Sequence, residues 1–255
     1  MLTKNNKINL VTAGIDDATK CPCIGSIFIA GVAADAATIR KWKKAGVKDS
    51  KLVARKKREK LAELIKETAI TFSVQEVTPT MIDDKRLNLN AWEMGVVLQI
   101  MHALQTKTAI TDLYIDNWEV NTNLFWQRLE QVRTFDFSTI SDFAISITPE
   151  VLSSMQIYPE HKADENYTVV GAASILAKTS SDAQYDAYKK IYGPFGSGSP
   201  ADPATRLFVW QHRHNPPPII RKSWQTYKTL LALDDINNDR LYNRKALVKK
   251  NMELV

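Results

Sequence analysis

Residues 8–32 read INLVTAGIDDATKCPCIGSIFIAGV, and two apolar runs within them decide the fold class. Ile8 to Asp16 and Ile24 to Val32 are apolar or small with β-branched members, which predicts two strands. The intervening stretch from Asp16 to Cys23 is short enough for a hairpin connection, so the two strands are expected to be antiparallel neighbours. Farther along, Leu61, Leu64 and Ile65 share one face of a Lys/Arg-rich helix predicted over Val53 to Thr68. Thr71 to Val77 alternates as a strand, and Thr78-Pro79 opens a helix with proline at its first position. Met94, Val97, Leu98, Met101 and Leu104 recur at three- and four-residue steps. They predict a helix ending near Gln105, with the methionines as core filler.

A short strand from Leu113 to Asp116 ends on an aspartate, and a helix from Thr122 turns Phe125, Leu129 and Val132 inward. Phe143 to Ile147 and Ile157 to His161 read as further strands. Tyr167 to Lys190 reads as a helix with Val169, Ala173 and Leu176 on its inner face, ended by Gly-Pro-Phe-Gly-Ser-Gly. Past Pro203 the chain looks helical, with an extended break at Pro216-Pro217-Pro218. Strands first, then alternating helix and strand, predict an α/β domain with a mixed sheet over residues 1–205 and a basic helical extension over residues 206–255.

With 255 residues, 44% of them hydrophobic, the chain can fill a sizeable core, which excludes disordered and fibrous classes. The formal net charge is +6, yet residues 1–205 hold twenty-four Lys/Arg and twenty-four Asp/Glu, so the excess lies in residues 206–255. Residues 40–66 are a basic stretch of their own, with twelve Lys/Arg against three Asp/Glu. Basic surface beside an acidic pocket suits a phosphate-backbone binder with metal-holding carboxylates, although solvated helix faces also give such runs. Two cysteines, Cys21 and Cys23, are too few for a disulfide framework and point to a reducing compartment. No stretch approaches the length of a membrane span and no signal peptide is recognisable, so a cytoplasmic location is expected.

Aspartates stand at a strand end or a helix mouth in three places: Asp16-Asp17, Asp116 and Asp164. If they converged, their mutual repulsion would call for divalent cations or for protonation of some members. Oxygen donors favour Mg²⁺ or Mn²⁺, and a pair of such ions can promote in-line attack of water on a phosphodiester. Spacing alone leaves open that these aspartates are helix caps and turn residues.

Six ordered segments carry a resemblance: GIDDATKCPCIGSIFIAGVA, GVKDSK, YIDNWEVN, EHKADENYTVVGAASILAK, YGPFGSGSPADP and IIRKSWQTYKTL. Spread from Gly14 to Leu230, they resemble ribonuclease HII, the type 2 ribonucleases H, particularly the archaeal form. The resemblance implies a ribonuclease H-like fold, a central mixed sheet flanked by helices, with a C-terminal helical subdomain that helps grip the duplex. It implies an endonuclease that hydrolyses the RNA strand of an RNA/DNA hybrid, leaving a 3′-hydroxyl. The family's four metal-binding carboxylates map onto Asp16, Asp17, Asp116 and Asp164.

Three departures stand out. Asp17 replaces the usual Glu and is one methylene shorter. Thr19, Lys20 and Cys21 stand where the family has Gly-Arg-Gly, a motif that approaches the substrate and helps read its 2′-hydroxyl, so side chains are added there and the arginine's planar fork is lost. Ser199 takes the place of a tyrosine that stacks on the sugar. Together they predict poor discrimination of a single ribonucleotide embedded in DNA; the alternative is a paralogue that binds hybrids without cleaving them.

Lys48, Ser50 and Lys51 resemble phosphate-contacting positions, against the simpler reading of a solvated loop before a basic helix. Ser174 and Lys178 could face the substrate backbone, and Ser174 could equally be a small packing residue. His161, His212 and His214 read as structural or exposed, Asp182 as structural, and Cys21-x-Cys23 lacks the further ligands that zinc requires. Trp224 reads as an anchor for the tail. Nothing in the basic tail requires a second subunit, so a monomer is expected.

Overall fold

The computed structural model describes residues 10–136 and 149–234. Its centre is a five-stranded sheet in the order β3-β2-β1-β4-β5. β1 (Val11–Ala18) pairs antiparallel with β2 (Ile27–Asp35), which pairs antiparallel with β3 (Thr71–Val77). On its other side β1 runs parallel to β4 (Asp112–Asp116), and β4 parallel to β5 (Gln156–Glu160). The predicted mixed α/β architecture is therefore present.

Interleaved with the strands are α1 (Ala36–Ala45), α2 (Arg55–Thr68), α3 (Pro79–Asp83), α4 (Leu89–Gln105), α5 (Thr122–Arg133), α6 (Pro149–Ser153), α7 (Ala163–Asn166), α8 (Thr168–Tyr192), α9 (Pro203–Gln211) and α10 (Gln225–Leu231). Strand alternation sorts β1 between two cores. Val11, Ala13 and Ile15 pack with α4 and α5, while Ala18 belongs to the core built with α1, α2 and α8. Cys23, Ile24, Phe195, Phe208, Ile220 and Leu230 form a third, smaller cluster under the C-terminal helices. Among the described residues no helix is long and apolar enough to cross a membrane.

Several boundaries differ from expectation for local reasons. β1 runs past Asp16 because Asp17 and Ala18 still pair with Ile29 and Phe28, so both aspartates lie in the strand and not in the connection. Ile24 forms a separate bridge with Ile220, delaying β2 until Ile27. α1 was not expected from the sequence. Asp35 caps it by accepting from the Thr38 amide at 2.7 Å, and Gly46 ends it at φ 91°. The strand expected over Phe143 to Ile147 lies outside the described residues, as do residues 8 and 9 of the first strand and the tail after residue 234.

The boundary expected between residues 205 and 206 falls inside α9. Residues 219–224 then return to the β1–β2 connection. Gly25 and Cys23 exchange backbone hydrogen bonds with Ile219 and Arg221, and Trp224 donates its indole N–H to the Cys21 carbonyl at 3.2 Å. Trp224 thus anchors this segment, as expected.

α8 crosses β1 so closely that a Cβ on Gly14 would stand 2.5 Å from the Val170 nitrogen and 2.6 Å from the Val169 carbonyl carbon. Both are backbone atoms and cannot step aside. Gly14→Ala is therefore expected to destabilise the fold by about 3 kcal/mol, seen in thermal unfolding as a Tm lower by roughly 5–10 °C. A Tm within a degree of the parent would show that the two elements separate freely.

Candidate active site

Parallel pairing brings the first two acids together. Ile15 lies opposite Ile115, so the next residues on the two strands, Asp16 and Asp116, sit side by side at the carboxyl end of the sheet. Asp116 accepts from the Ala163 amide at 2.9 Å, which ties the start of α7 to the strand end and sets Asp164 in its first turn. Asp16 and Asp164 are buried, at 5% and 6% exposure. Asp17 points to the opposite face of β1 from Asp16, the face packed by α4.

Burial raises the pKa of all four carboxyls, and repulsion from neighbouring acids adds to it for Asp16, Asp17 and Asp164. For Asp16 the lift is large, driven first by desolvation and then by the charges of Asp17 and Asp116, with the Ser174 hydroxyl acting against it. Desolvation likewise dominates for Asp17, where Lys20 opposes it more strongly than Asp116 reinforces it. Asp116 is raised by burial against the Ala163 hydrogen bond and the Lys51 and His161 charges. Asp164 is pushed up to about 6 by burial, Asp116 and Asp49. Such a set of hard oxygen donors, held at an electrostatic disadvantage, suits a divalent cation. No three His, Cys, Asp or Glu side chains among the described residues stand at ligand spacing about one point. The acids are neighbours without a closed cage, and Asp17 on the far face is the outlier.

A cleft of about 400 Å³ opens over these acids. Asp16, Asp17, Asp116, Thr19, Lys20, Cys21, Ser50, Lys51 and Lys178 belong to its wall; Asp164, Lys48, Ser174 and Ser199 do not. Ser174 is buried and donates to the Ser50 hydroxyl at 2.9 Å, so it packs and positions instead of facing solvent. Lys48 is exposed beyond the wall. Ser199 turns inward on its own loop, where its hydroxyl accepts from the Ala201 amide at 3.2 Å. His212 hydrogen-bonds the Phe208 carbonyl at 2.8 Å and lies tilted against its ring, a packing role. Cys21 is exposed and Cys23 buried, both as free thiols.

The loop carrying residues 19–25 is held from behind. Thr19 adopts φ 71°, a left-handed conformation that suits the glycine of the family pattern and strains a β-branched residue. Two contacts hold it there: its hydroxyl donates to Ser181 at 2.9 Å, and its carbonyl accepts from Arg221 at 2.8 Å. Arg221 also donates to the carbonyls of Lys20 at 2.8 Å and Gly25 at 2.7 Å, and it is fully buried. Lys20 forms an ion pair with Glu93 at 2.5 Å. On the other wall Arg58 donates to the Ser50 and Val53 carbonyls, both at 2.9 Å, and to Asp182 at 2.6 Å. Asp182 also accepts from Lys178 at 2.7 Å, consistent with its expected structural role.

Glu93, Arg58 and Arg221 were not anticipated as site residues. Glu93 had left a signal, a lone acid between Trp92 and Met94 in the apolar part of α4; Arg58 and Arg221 lay hidden among many basic neighbours.

Comparison with known proteins agrees with this architecture. The family model described as ribonuclease HII matches residues 13–227. Ribonuclease HII of Thermococcus sibiricus is 35% identical over 220 residues, covering 85% of this chain and 89% of that protein. The solved ribonuclease H2 of Pyrococcus horikoshii superposes with a TM-score of 0.71 at 29% identity, covering 87% of this chain and 97% of that one. A Bst-RNase HIII solved in complex with Mn²⁺ shares the fold, with a TM-score of 0.64 at 16% identity over 88% of this chain and 70% of that one. The acidic strand ends, the order of the motifs and the relatives matched along nearly their whole length converge, and the chain belongs to the ribonuclease HII family, enzymes that act on RNA/DNA hybrids.

Proposed function

We propose that the cleft hydrolyses the RNA strand of an RNA/DNA hybrid, with Asp16, Asp17, Asp116 and Asp164 holding Mg²⁺ or Mn²⁺. The observation that carries this reading is the grouping of four acids about the ends of β1 and β4 and the start of α7, Asp16 and Asp164 buried, Asp17 and Asp116 partly so, each raised in pKa. Divalent cations bound there would supply water activation and stabilise the departing oxygen, and the Mn²⁺ complex of the HIII relative fits that choice. Lys51 and Lys178 on the cleft wall would meet the phosphates, with the Ser50 amide and hydroxyl beside them. Lys48, outside the wall, would meet the backbone a step away from the cut. α9, α10 and the basic residues after 205 would steady the duplex. All of these groups come from one chain, so a monomer suffices, and the free cysteines suit a cytoplasmic protein.

Recognition of a single ribonucleotide in DNA would be weak. The Ser199 hydroxyl is engaged within its own turn and offers no ring to a sugar, while Lys20 is engaged by Glu93. A second reading, a paralogue that binds hybrids without cleaving them, draws on the absence of a three-ligand cage among the described residues and on the short reach of Asp17.

Incubating the protein and Asp16→Asn with labelled hybrid, and with duplex DNA carrying one ribonucleotide, separates these readings. Metal-dependent cutting of the hybrid that vanishes in the variant, with the embedded ribonucleotide cut at least about tenfold more slowly, is the expected outcome. Tight binding of hybrid without cutting would establish the second reading, and equal cutting of both substrates would remove the junction defect.

Asp17→Glu restores the missing methylene and is expected to raise kcat/KM severalfold and tighten cation binding; a loss of activity would mean that the local geometry has been rebuilt around aspartate.

Stability should also report the site. The folded-state pKa of Asp164 is lifted to about 6, so the folded form binds that proton more tightly than the unfolded chain does. Its stabilising contribution is complete below the unfolded-state pKa and is lost as pH rises through about 6. In metal-free buffer the parent is therefore expected to lose Tm relative to Asp164→Asn between about pH 4 and about pH 7, and Mg²⁺ should restore it at the upper end. Parallel Tm profiles for the two proteins would show that Asp164 lies outside the cluster's electrostatics.

A further inference from the structure

Lys20 lines the same cleft wall as the outlying acid, Asp17, and the structure specifies how it is held. Its ammonium lies 2.5 Å from a Glu93 carboxylate oxygen, 3.1 Å from the Asn90 side-chain oxygen and 5.5 Å from the centre of the Trp118 ring. Asn90 and Glu93 are three residues apart on α4 and so share a face of the helix. The Glu93 side chain is fully buried, whereas that of Lys20 is 29% exposed at the cleft wall. The second Glu93 oxygen is buried with no hydrogen-bond partner among the described residues. Burial pushes the Glu93 pKa up to about 8 even with Lys20 beside it, so withdrawing Lys20 toward a substrate phosphate would cost the carboxylate its ion pair and drive it to take up a proton in a dry place.

The backbone of the same residue is fixed too, because Arg221 holds the carbonyls of Thr19 and Lys20. Both ends of the lysine are therefore tethered. Asp17 and Lys20 share the cleft wall, and Asp17 lies on the face of β1 packed by α4, the helix that carries Glu93; the charges agree, Lys20 being the strongest one acting to lower the Asp17 pKa and Asp17 the strongest one acting to raise that of Glu93.

We propose that Glu93, with Asn90, is a positioning residue that pins the Lys20 ammonium beside Asp17 as a fixed countercharge of the acidic cluster, so that Lys20 does not serve as a mobile hook for substrate phosphate. The inference rests on the hydrolytic reading of the cleft. It accounts for a lysine where the family pattern has arginine: a compact ammonium fits between two acceptors on one helical turn and an aromatic ring, whereas a planar guanidinium presents its donors in a wider fork. It also assigns a task to a buried acid flanked in sequence by the apolar Trp92 and Met94.

The test compares Lys20→Met, Glu93→Met and Glu93→Gln with the parent in three measurements: kcat and KM on a long hybrid, Mn²⁺ affinity of the nucleic-acid-free protein by calorimetry, and the salt dependence of hybrid binding without divalent cation. Lys20→Met is expected to lower kcat about tenfold or more with KM within about twofold, and to tighten Mn²⁺ binding severalfold because a fixed positive charge has gone. Glu93→Met releases the ammonium and should reproduce the kcat loss. Glu93→Gln keeps an acceptor in place and should lie much nearer the parent.

A Lys20→Met protein with raised KM, unchanged kcat and a salt slope smaller by about one would overturn the proposal, because Lys20 would then be a phosphate contact. Glu93→Met protein with lower Tm but parental kcat and KM would overturn it as well, leaving Glu93 a purely structural acid. If the parent cuts no hybrid in Mg²⁺ or Mn²⁺, it is the hydrolytic reading that fails. The Mn²⁺ affinities then still decide the placement of Lys20: tighter binding by Lys20→Met supports it and unchanged binding overturns it.

Discussion

Asp16 and Asp116 lie side by side on parallel strands, two carboxylates that repel one another in a nearly dry place. Much of the surrounding architecture makes that juxtaposition tolerable. Asp116 takes a hydrogen bond from the Ala163 amide, the Ser174 hydroxyl acts to lower the Asp16 pKa, and the Lys51 charge acts on Asp17, Asp116 and Asp164 together. None of these cancels the desolvation, because every member of the cluster keeps a raised pKa. On the proposed function, a site left electrostatically incomplete in this way would draw cations. Its geometry rests on the close crossing of α8 over Gly14, which carries Ser174 to the acids.

The second constraint is the β1–β2 connection, residues 19–26, which forms one wall of the cleft but derives its shape from the other end of the chain. Arg221 donates from its three nitrogens to the carbonyls of Thr19, Lys20 and Gly25, with no hydrogen bond to a carboxylate among the described residues. Burial pushes its pKa down to about 10. A guanidinium buried on these terms persists because removing it would orphan three carbonyls at once. Residues 219–224 are therefore as much a part of the cleft as the strand that carries Asp16 and Asp17.

The sequence revealed the strands, the long helices and the four aspartates because each leaves a local pattern: alternation, three- and four-residue periodicity, or a polar residue ending an apolar run. Asp16, Asp17 and Asp116 were legible for that reason, and motif order supplied the expectation that they converge with Asp164. What stayed hidden is non-local. Ile24 reads as a strand residue, yet its partner is Ile220, nearly two hundred positions away. α1 escaped notice because its start is fixed by the Asp35 cap and its end by Gly46, while Trp42 is its only fully buried side chain. Glu93 was masked by its apolar neighbours, since its meaning depends on Lys20, which comes from a different element. Ser174 was undecidable between packing and substrate contact until the Ser50 hydroxyl was placed against it.

The departures from the family pattern share one physical character: they preserve charge and alter reach. Asp17 keeps a carboxylate but loses a methylene on a strand face directed toward α4, away from Asp16. Lys20 keeps a positive charge but gives up the fork, and is met by two acceptors on α4. Thr19 keeps the left-handed backbone of a glycine position, supported by Ser181 and Arg221. Cation affinity follows the sum of charges over several ångströms and so survives such changes, whereas reading a single 2′-hydroxyl needs donors placed to a few tenths of an ångström. On the proposed function, electrostatics and stereochemistry separate in this cleft: attraction for metal and phosphate would be retained, and fine discrimination along the duplex would be the property exposed to loss.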